Sequence, residues 1–243
     1  MKKAQRLVAV SAWTKGVVIR ELGIPEAKID VVYHGADLDR FSQVHSLQEV
    51  AGLKSRHRLP DQFILFVGGI LPVKNLARLV RSFHRLVKSG EIGDRHLVIA
   101  GGKGWGSQSV FELVENLQLT DRVTFTGFFP AEDLPALYSA ADVFVLPSLY
   151  EGFGLPIVES FASGTPVVTS NASCLPEIAK DAAILIDPTD EIQLAEAIAS
   201  VIRDESLRGS LIEKGFARAK DFTWRQTAEK TLAAYEKAQR ERH

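Results

Sequence analysis

The sequence is nearly free of cysteine, and Cys174 is its only one. A single thiol cannot close an intramolecular disulfide and excludes a cysteine-based metal cluster, so we predict that Cys174 is a small buried or half-buried residue. An excess of charge of one sign is also lacking, because 29 Lys and Arg residues balance 30 Asp and Glu residues for a net charge of −1. This balance gives no electrostatic reason to expect nucleic acid or an anionic membrane as a partner.

Long hydrophobic runs are missing as well. The longest, residues 63–73, is interrupted by Gly68, Gly69 and Pro72 and is far too short to span a bilayer. The first residues, MKKAQRLVAVSAW, resemble a secretion signal only faintly, because Ser11 breaks the apolar part and no clear cleavage site follows. We therefore expect a cytoplasmic protein. The chain is 46% hydrophobic, which is enough apolar material for a full core.

Residues 61–203 alternate between short apolar runs and helical segments. The apolar runs are residues 63–69, 96–102, 122–127, 142–147, 166–170 and 182–187. Strands separated by helical crossovers form βαβ units with parallel pairing. The sequence therefore predicts an α/β fold, namely one Rossmann-like domain with a six-stranded parallel sheet. Such a domain binds its ligand at the carboxyl ends of the strands.

The flanking segments do not read as complete domains. Residues 1–60 contain predicted strands at 7–11 and 29–35, a helix at 15–22 and a polar helix at 43–57. Residues 204–243 are predicted to form two charged helices, at 206–219 and 224–241, with Thr223 capping the second. We therefore divide the chain into a linker region (1–60), a Rossmann-like domain (61–203) and C-terminal helices (204–243).

The stretch LPSLYEGFGLPIVESFASGTPVVT, residues 146–169, carries the strongest chemical signal. An apolar strand ends at Pro147, a loop with Glu151 and two glycines follows, and Pro156 opens a helix whose second turn holds Glu159. Free backbone N–H groups and the helix dipole make such a helix start a site for phosphate, and carboxylates accept hydrogen bonds from sugar hydroxyls. The alternative is an ordinary strand-loop-helix with solvated glutamates.

This stretch resembles the signature of the retaining nucleotide-sugar glycosyltransferases of family 4, which have the GT-B fold. The resemblance lies in Glu151 and Glu159 with seven residues between them, GFGLP inside that interval, and GTPVV after it. The wider match around SLYEGFGLP and SNASCLPEI is similar to bacterial polysaccharide mannosyltransferases. The resemblance implies that Glu159 holds ribose hydroxyls, that Glu151 holds the transferred sugar, and that GDP-mannose is favoured over UDP-glucose.

A second glycine loop, GGILPVKN at residues 68–75, follows the first strand of the domain. The resemblance implies that Lys74 neutralises the departing pyrophosphate; the alternative is a solvated lysine before a helix capped by Asn75. Family members commonly have an arginine where this chain has Gly69, so leaving-group stabilisation is expected to be weaker unless Arg78 compensates.

Two further loops are implied to border the nucleotide. Gly101 and Gly102 lie in GGKGWG, whose glycine spacing does not fit a dinucleotide-binding motif. Phe128 and Phe129 either pack on the base or belong to the core. The predicted catalytic residues are Lys74 and Glu151, and the predicted binding residues are Gly68, Gly69, Lys74, Gly102, Phe128, Phe129, Glu151, Gly152, Phe153, Gly154, Leu155 and Glu159.

The resemblance covers the second domain of the GT-B architecture, whose first domain binds the acceptor. It implies a hexosyltransferase of polysaccharide biosynthesis that needs an N-terminal acceptor domain, supplied separately or replaced by self-association. The acceptor is expected to be a saccharide or lipid-linked, with membrane association only through it. No metal or cofactor is expected, and Asp37 and Asp39 are discounted as a metal site. A non-catalytic nucleotide-sugar-binding module is the alternative, and a same-fold epimerase is disfavoured.

Overall fold

The computed structural model describes residues 4–42 and 45–241. Its main sheet has the six predicted strands: β3 (Phe63–Val67), β4 (His96–Ala100), β5 (Val123–Gly127), β6 (Val143–Leu146), β7 (Val167–Ser170) and β8 (Ala183–Ile186). All neighbouring pairs are parallel, in the order β5-β4-β3-β6-β7-β8. These strands are nearly continuous apolar runs because helices cover both faces of the sheet.

The helices of the sheet region alternate with its strands. They are α4 (Leu76–Ser89), α5 (Gln108–Asn116), α6 (Leu134–Ser139), α7 (Leu155–Ala162), α8 (Leu175–Ala179) and α9 (Glu191–Arg203). Helix α4 contacts α5 and α9, whereas α7 contacts α6 and the later helix α10 (Glu205–Ala219). The two groups cover opposite faces of the sheet, as right-handed crossovers to both sides of the first strand require.

The segment before the sheet forms a small βαβ unit. Strands β1 (Leu7–Ala9) and β2 (Ile29–Val31) pair in parallel, joined by α1 (Ala12–Leu22). A short helix α2 (Leu38–Phe41) and the polar helix α3 (Leu47–His57) then lead to β3. The predicted start of the polar helix, residues 43–44, lies outside the described residues.

The last helix returns to this N-terminal unit. Helix α11 (Trp224–Arg240) is capped by Thr223, which accepts from the Gln226 N–H, as predicted. Thr227 donates its hydroxyl to the Tyr33 carbonyl at 2.8 Å, and Lys237 pairs with Asp30 at 2.9 Å. The chain end is thereby held against the segment that precedes the sheet.

The core follows from the sequence pattern. The strands and the inner faces of α4, α7 and α9 bury one large cluster of aliphatic and aromatic side chains. Cys174 is buried, as predicted, and burial raises the pKa of its thiol to about 12. None of the helices in the described part of the chain combines the length and apolar character needed to cross a bilayer.

Candidate functional site

The strand order creates a crevice between β3 and β6. These strands are neighbours in the sheet, yet the chain leaves them toward opposite faces, so the loops after them separate. The loop after β3 contains Lys74 and the loop after β6 contains Glu151. The two predicted catalytic residues therefore lie at the position where Rossmann-like sheets bind ligands.

Lys74 and Glu151 form an ion pair in this crevice. The Lys74 Nζ lies 2.5 Å from Glu151 Oε1, and the side chains are only 19% and 13% exposed. The Ser148 hydroxyl donates to the same carboxylate oxygen at 2.8 Å. Because this ion pair is largely shielded from water, neither charge can be left without a partner. When the pair separates, each side chain needs another group of opposite charge or a strong hydrogen bond.

The loop that carries Glu151 is fixed by distant segments. The Glu151 N–H donates to Ser173 Oγ at 3.0 Å, and the Cys174 thiol donates to the Glu151 carbonyl at 3.2 Å. Ser11, which precedes the first residue of α1, donates its hydroxyl to the Gly152 carbonyl at 2.8 Å. Neither Ser11 nor Ser173 was predicted, because nothing in the local pattern links them to this loop.

Helix α7 starts directly after this loop. Gly154 has a φ of +88°, and a Cβ there would lie 2.9 Å from Leu175 Cδ2, so glycine is required on two grounds. No side chain caps the helix, and Pro156 stands in its first turn as predicted. The backbone N–H groups at the positive end of α7 therefore have no side-chain cap.

Glycines let the loops after β3 and β4 run side by side. A Cβ on Gly101 would lie 1.9 Å from the Gly68 carbonyl oxygen. The Ile70 N–H donates to the Gly102 carbonyl at 3.0 Å. A Cβ added to Gly102 would meet no atom within 4 Å, and one added to Gly69 would meet Leu71 at 3.9 Å. These contacts place the loop at residues 101–106 beside the Lys74 loop.

Glu159 lies one turn into α7 and does not contact the Lys74–Glu151 pair. Its Oε2 accepts a hydrogen bond from the hydroxyl of Tyr138, which is fully buried, at 2.9 Å. Burial raises the pKa of Glu159, while the Tyr138 hydrogen bond and the charge of Arg40 lower it. The structure thus gives the two signature carboxylates separate environments on one helix and its preceding loop.

The predicted aromatic residues differ in exposure. Phe128 follows β5 and is 86% exposed, whereas Phe129 is 6% exposed and its ring centroid lies 4.3 Å from that of His57. Of the two alternatives for Phe129, the core position is the one observed for its side chain. The Phe153 side chain is also buried, against Tyr33 and Phe222. This residue therefore contributes only its backbone to the surface of the loop.

The predicted cap of α4 is wrong. Asn75 occupies the N-cap position, but its side chain makes no capping hydrogen bond. Its amide instead donates to the carbonyls of Pro147 at 3.1 Å and Pro188 at 2.8 Å, because a φ of +59° turns it away from the helix. Asn75 therefore ties together the loops after β3, β6 and β8.

Arg78 is directed away from the crevice. Its guanidinium donates to the Thr189 carbonyl and lies 4.0 Å from Glu191 at the start of α9. Lys74 is thus the basic side chain that contacts Glu151 within the described residues. No group of three or more side chains suited to hold a metal ion occurs among residues 4–42 and 45–241.

Comparison with known proteins assigns the family. Residues 52–218 match the family model described as Glycosyl transferases group 1. The chain belongs to this family. The group 1 match covers the whole sheet, the Lys74 loop and the Glu151 loop, and it confirms the resemblance stated from the sequence.

Two group 1 relatives are similar to this chain at the sequence level. O-antigen chain mannosyltransferase B of Escherichia coli is 32% identical over 237 residues, which are 97% of this chain and 61% of that protein. D-inositol 3-phosphate glycosyltransferase of Salinispora tropica is 32% identical over an alignment of 248 positions, which covers 97% of this chain and 52% of that protein. The chain thus spans about half to three fifths of these relatives' length.

A solved structure shares the fold. Anabaena Alr3699/HepE in complex with UDP and glucose superposes with a TM-score of 0.86 at 22% identity, covering 96% of this chain and 64% of that chain. This likeness confirms the predicted fold class, a Rossmann-like α/β domain with a parallel sheet.

Proposed function

We propose that this chain binds the sugar nucleotide in a retaining hexosyltransferase of polysaccharide biosynthesis. The observation that carries the proposal is the Lys74–Glu151 pair, 2.5 Å apart at the open start of α7. A nucleoside diphosphate supplies negative charge and a sugar supplies hydroxyl groups, so one sugar nucleotide satisfies both partners when the pair separates.

In this proposal the diphosphate displaces Glu151 from Lys74. The ammonium and the N–H groups near Gly154 and Leu155 stabilise the charge that develops as the bond between the anomeric carbon and the diphosphate breaks. Lys74 provides the balancing cation, and no metal is invoked. The oxygen of an acceptor hydroxyl forms the new bond to the anomeric carbon and its proton passes to the departing diphosphate, so the sugar moves from the diphosphate to the acceptor.

The two glutamates take different parts of the ligand. Glu151, held at Oε1 by Ser148, accepts from hydroxyls of the transferred sugar. Glu159, which lies further along α7, accepts from ribose hydroxyls. Gly68, Gly69, Gly102 and the backbone of residues 152–155 border the nucleotide, and exposed Phe128 is available to the base.

We favour mannose as the transferred sugar. The support is the similarity to the mannosyltransferase of Escherichia coli together with the SLYEGFGLP and SNASCLPEI stretches. The proposed acceptor is either a saccharide or a lipid-linked molecule. A cytoplasmic location stays a prediction.

Transfer is proposed to require an N-terminal acceptor domain. The relatives are longer than this chain, which spans 61% of the Escherichia coli protein. The purified 243-residue chain should therefore bind nucleotide and transfer little or no sugar. Robust turnover by this chain alone contradicts the requirement, and activity restored by a co-expressed acceptor domain supports it.

A non-catalytic nucleotide-sugar-binding module is the second candidate. It is favoured by Gly69 in place of the usual arginine and by Arg78, whose guanidinium bonds to Thr189 instead of the crevice. Continued inactivity with an acceptor domain, despite tight binding of the sugar nucleotide, would support the module over the enzyme.

A thermal-shift panel of GDP, UDP, ADP and their sugars tests the binding claim. A ligand at about 100 times its dissociation constant adds roughly 2.7 kcal/mol to the free energy of unfolding. Glu159→Ala should reduce the shift caused by a nucleoside diphosphate more than Glu151→Ala does, because Glu151 is assigned to the sugar. Equal losses for the two variants contradict this division of roles.

A further inference from the structure

Tyr138 is a fully buried polar residue whose ring packs against aromatic side chains. It is 0% exposed, with its ring against Phe41 at 5.9 Å and Phe144 at 5.4 Å between centroids. Its backbone carbonyl accepts from the Thr165 hydroxyl at 2.7 Å, so the residue is held at both ends. Phenylalanine would fill this space equally well, and a buried hydroxyl is costly unless it has a partner.

The partner of that hydroxyl is Glu159. The hydroxyl donates to Glu159 Oε2 at 2.9 Å. Glu159 Oε1 has no hydrogen-bond partner among the described residues. This oxygen is not sealed from solvent. One carboxylate oxygen is therefore occupied from inside the protein, while the other stays open to an incoming ligand.

We propose that Tyr138 is a positioning residue that orients Glu159 for the nucleotide and keeps its carboxylate in the ionised, hydrogen-bond-accepting form. The inference rests on the proposed function, since it concerns the ligand of the same site. Tyr138 itself does not touch the ligand; it acts through Glu159, whose free Oε1 accepts from a ribose hydroxyl.

The electrostatic setting supports this role. Burial raises the pKa of Glu159, and the groups that oppose this are the Tyr138 hydroxyl from α6 and Arg40 from α2. The other elements that contact α7 are α8, β6, β7 and α10, and α10 meets it where Gly215 packs against Phe161. The charged side chains of α8 and α10, such as Glu177 and Lys214, are not among the groups that shift the pKa of Glu159. The hydroxyl remains a donor because burial and Glu159 raise the pKa of Tyr138 well above its usual value.

The test is a double-mutant cycle read by calorimetric titration with GDP and UDP from pH 5 to pH 8. Wild type, Tyr138→Phe, Glu159→Gln and the double variant are compared. A hydrogen bond to a charged group corresponds to about a tenfold to hundredfold change in affinity, and we expect a loss of this size for Tyr138→Phe. In the Glu159→Gln background the same substitution should add little, because its effect passes through the carboxylate.

The pH profile separates positioning from packing. Wild-type affinity should fall as the pH drops through the pKa of Glu159, and the fall should begin at a higher pH in Tyr138→Phe. Glu159→Gln should show no such fall in affinity. The fall in wild type can therefore be distinguished from an effect of phosphate titration. Tyr33→Phe is the matched control, since it removes a hydroxyl that donates to Glu177 at 2.7 Å, and its profile should match wild type.

The outcomes are distinct. Losses that add in the double variant, or an unchanged affinity and pH profile in Tyr138→Phe, overturn the role of Tyr138 while the proposed function stands. A wild-type chain that binds neither nucleotide overturns the proposed function itself. If Tyr138→Phe does not fold, Glu159→Asp serves instead, because its shorter side chain withdraws the carboxylate from the Tyr138 hydroxyl. The fall in affinity should then also begin at a higher pH than in wild type. An unchanged pH profile in Glu159→Asp again overturns the inference.

Discussion

At the scale of single residues, Gly101 has no room for a side chain. Its added Cβ would lie 1.9 Å from the carbonyl oxygen and 2.6 Å from the carbonyl carbon of Gly68. Both are backbone atoms, so the loops after β3 and β4 would have to part. We expect Gly101→Ala to lower the free energy of unfolding by about 1–3 kcal/mol, measured by chemical denaturation.

The neighbouring glycine provides the control for stability. Gly102 has no atom within 4 Å of an added Cβ, and its φ does not lie in the left-handed region. Gly102→Ala should therefore change the unfolding free energy by less than about 0.5 kcal/mol. Similar losses at both positions would show that the close approach of the two loops does not explain the need for glycine.

Lys74, Glu151 and Glu159 could be proposed as site residues because each stands in a short motif that resembles the family signature, and their roles stay predictions. The residues that hold them could not. Ser11 reaches the Gly152 carbonyl across 141 positions of sequence, and Ser173 accepts from the Glu151 N–H across 22. Contacts of this kind depend on how distant segments pack, and no local pattern encodes them.

At the scale of elements, the docking of α11 on the N-terminal unit depends on Asp30. Arg6 Nε lies 2.6 Å from this carboxylate and Lys237 Nζ lies 2.9 Å from it. The Arg6 hydrogen bond, helped by Lys237, lowers the pKa of Asp30 to about 2, against the opposing effect of partial burial. A carboxyl whose folded pKa is lowered stabilises the fold above its unfolded pKa, and this is lost as the pH falls toward the folded value.

We therefore expect Asp30→Asn to destabilise the protein by about 1–2 kcal/mol at pH 7. The difference from wild type should shrink between about pH 4 and pH 2, because wild type then loses the same charge. Thermal unfolding of both proteins across this range gives the measurement. If the difference in unfolding free energy between the two proteins stays constant with pH, the ion pairs of Asp30 are not its source.

The secondary structure was largely predictable from periodicity. The predicted helices at 191–203 and 224–241 correspond to Glu191–Arg203 and Trp224–Arg240. Strand ends were predicted too long, by two residues at 63–69 for Phe63–Val67 and by four at 29–35 for Ile29–Val31, since the residues that follow do not pair in the sheet. The cap of α4 was predicted wrongly because the alternative partners of Asn75, the carbonyls of Pro147 and Pro188, come from loops far along the chain.

At the scale of the whole molecule, alternating strands and helices predicted the parallel sheet, and the structure adds its order. The crevice exists because β3 and β6 are neighbours in the sheet, although their paired residues Ile64 and Val143 lie 79 positions apart in the sequence. Sequence alone does not state this adjacency. It is what brings the Lys74 loop and the Glu151 loop together, and the predicted division into segments 1–60, 61–203 and 204–243 stays a prediction.

The most direct test compares a nucleoside diphosphate with its monophosphate by calorimetric titration, using GDP and GMP, in wild type and Lys74→Ala. Wild type should bind GDP at least about tenfold more tightly than GMP, since Lys74 and the start of α7 are assigned to the diphosphate. Lys74→Ala should lose most of that preference while its GMP affinity changes little. An equal preference for GDP in both proteins would contradict the placement of the diphosphate between Lys74 and α7.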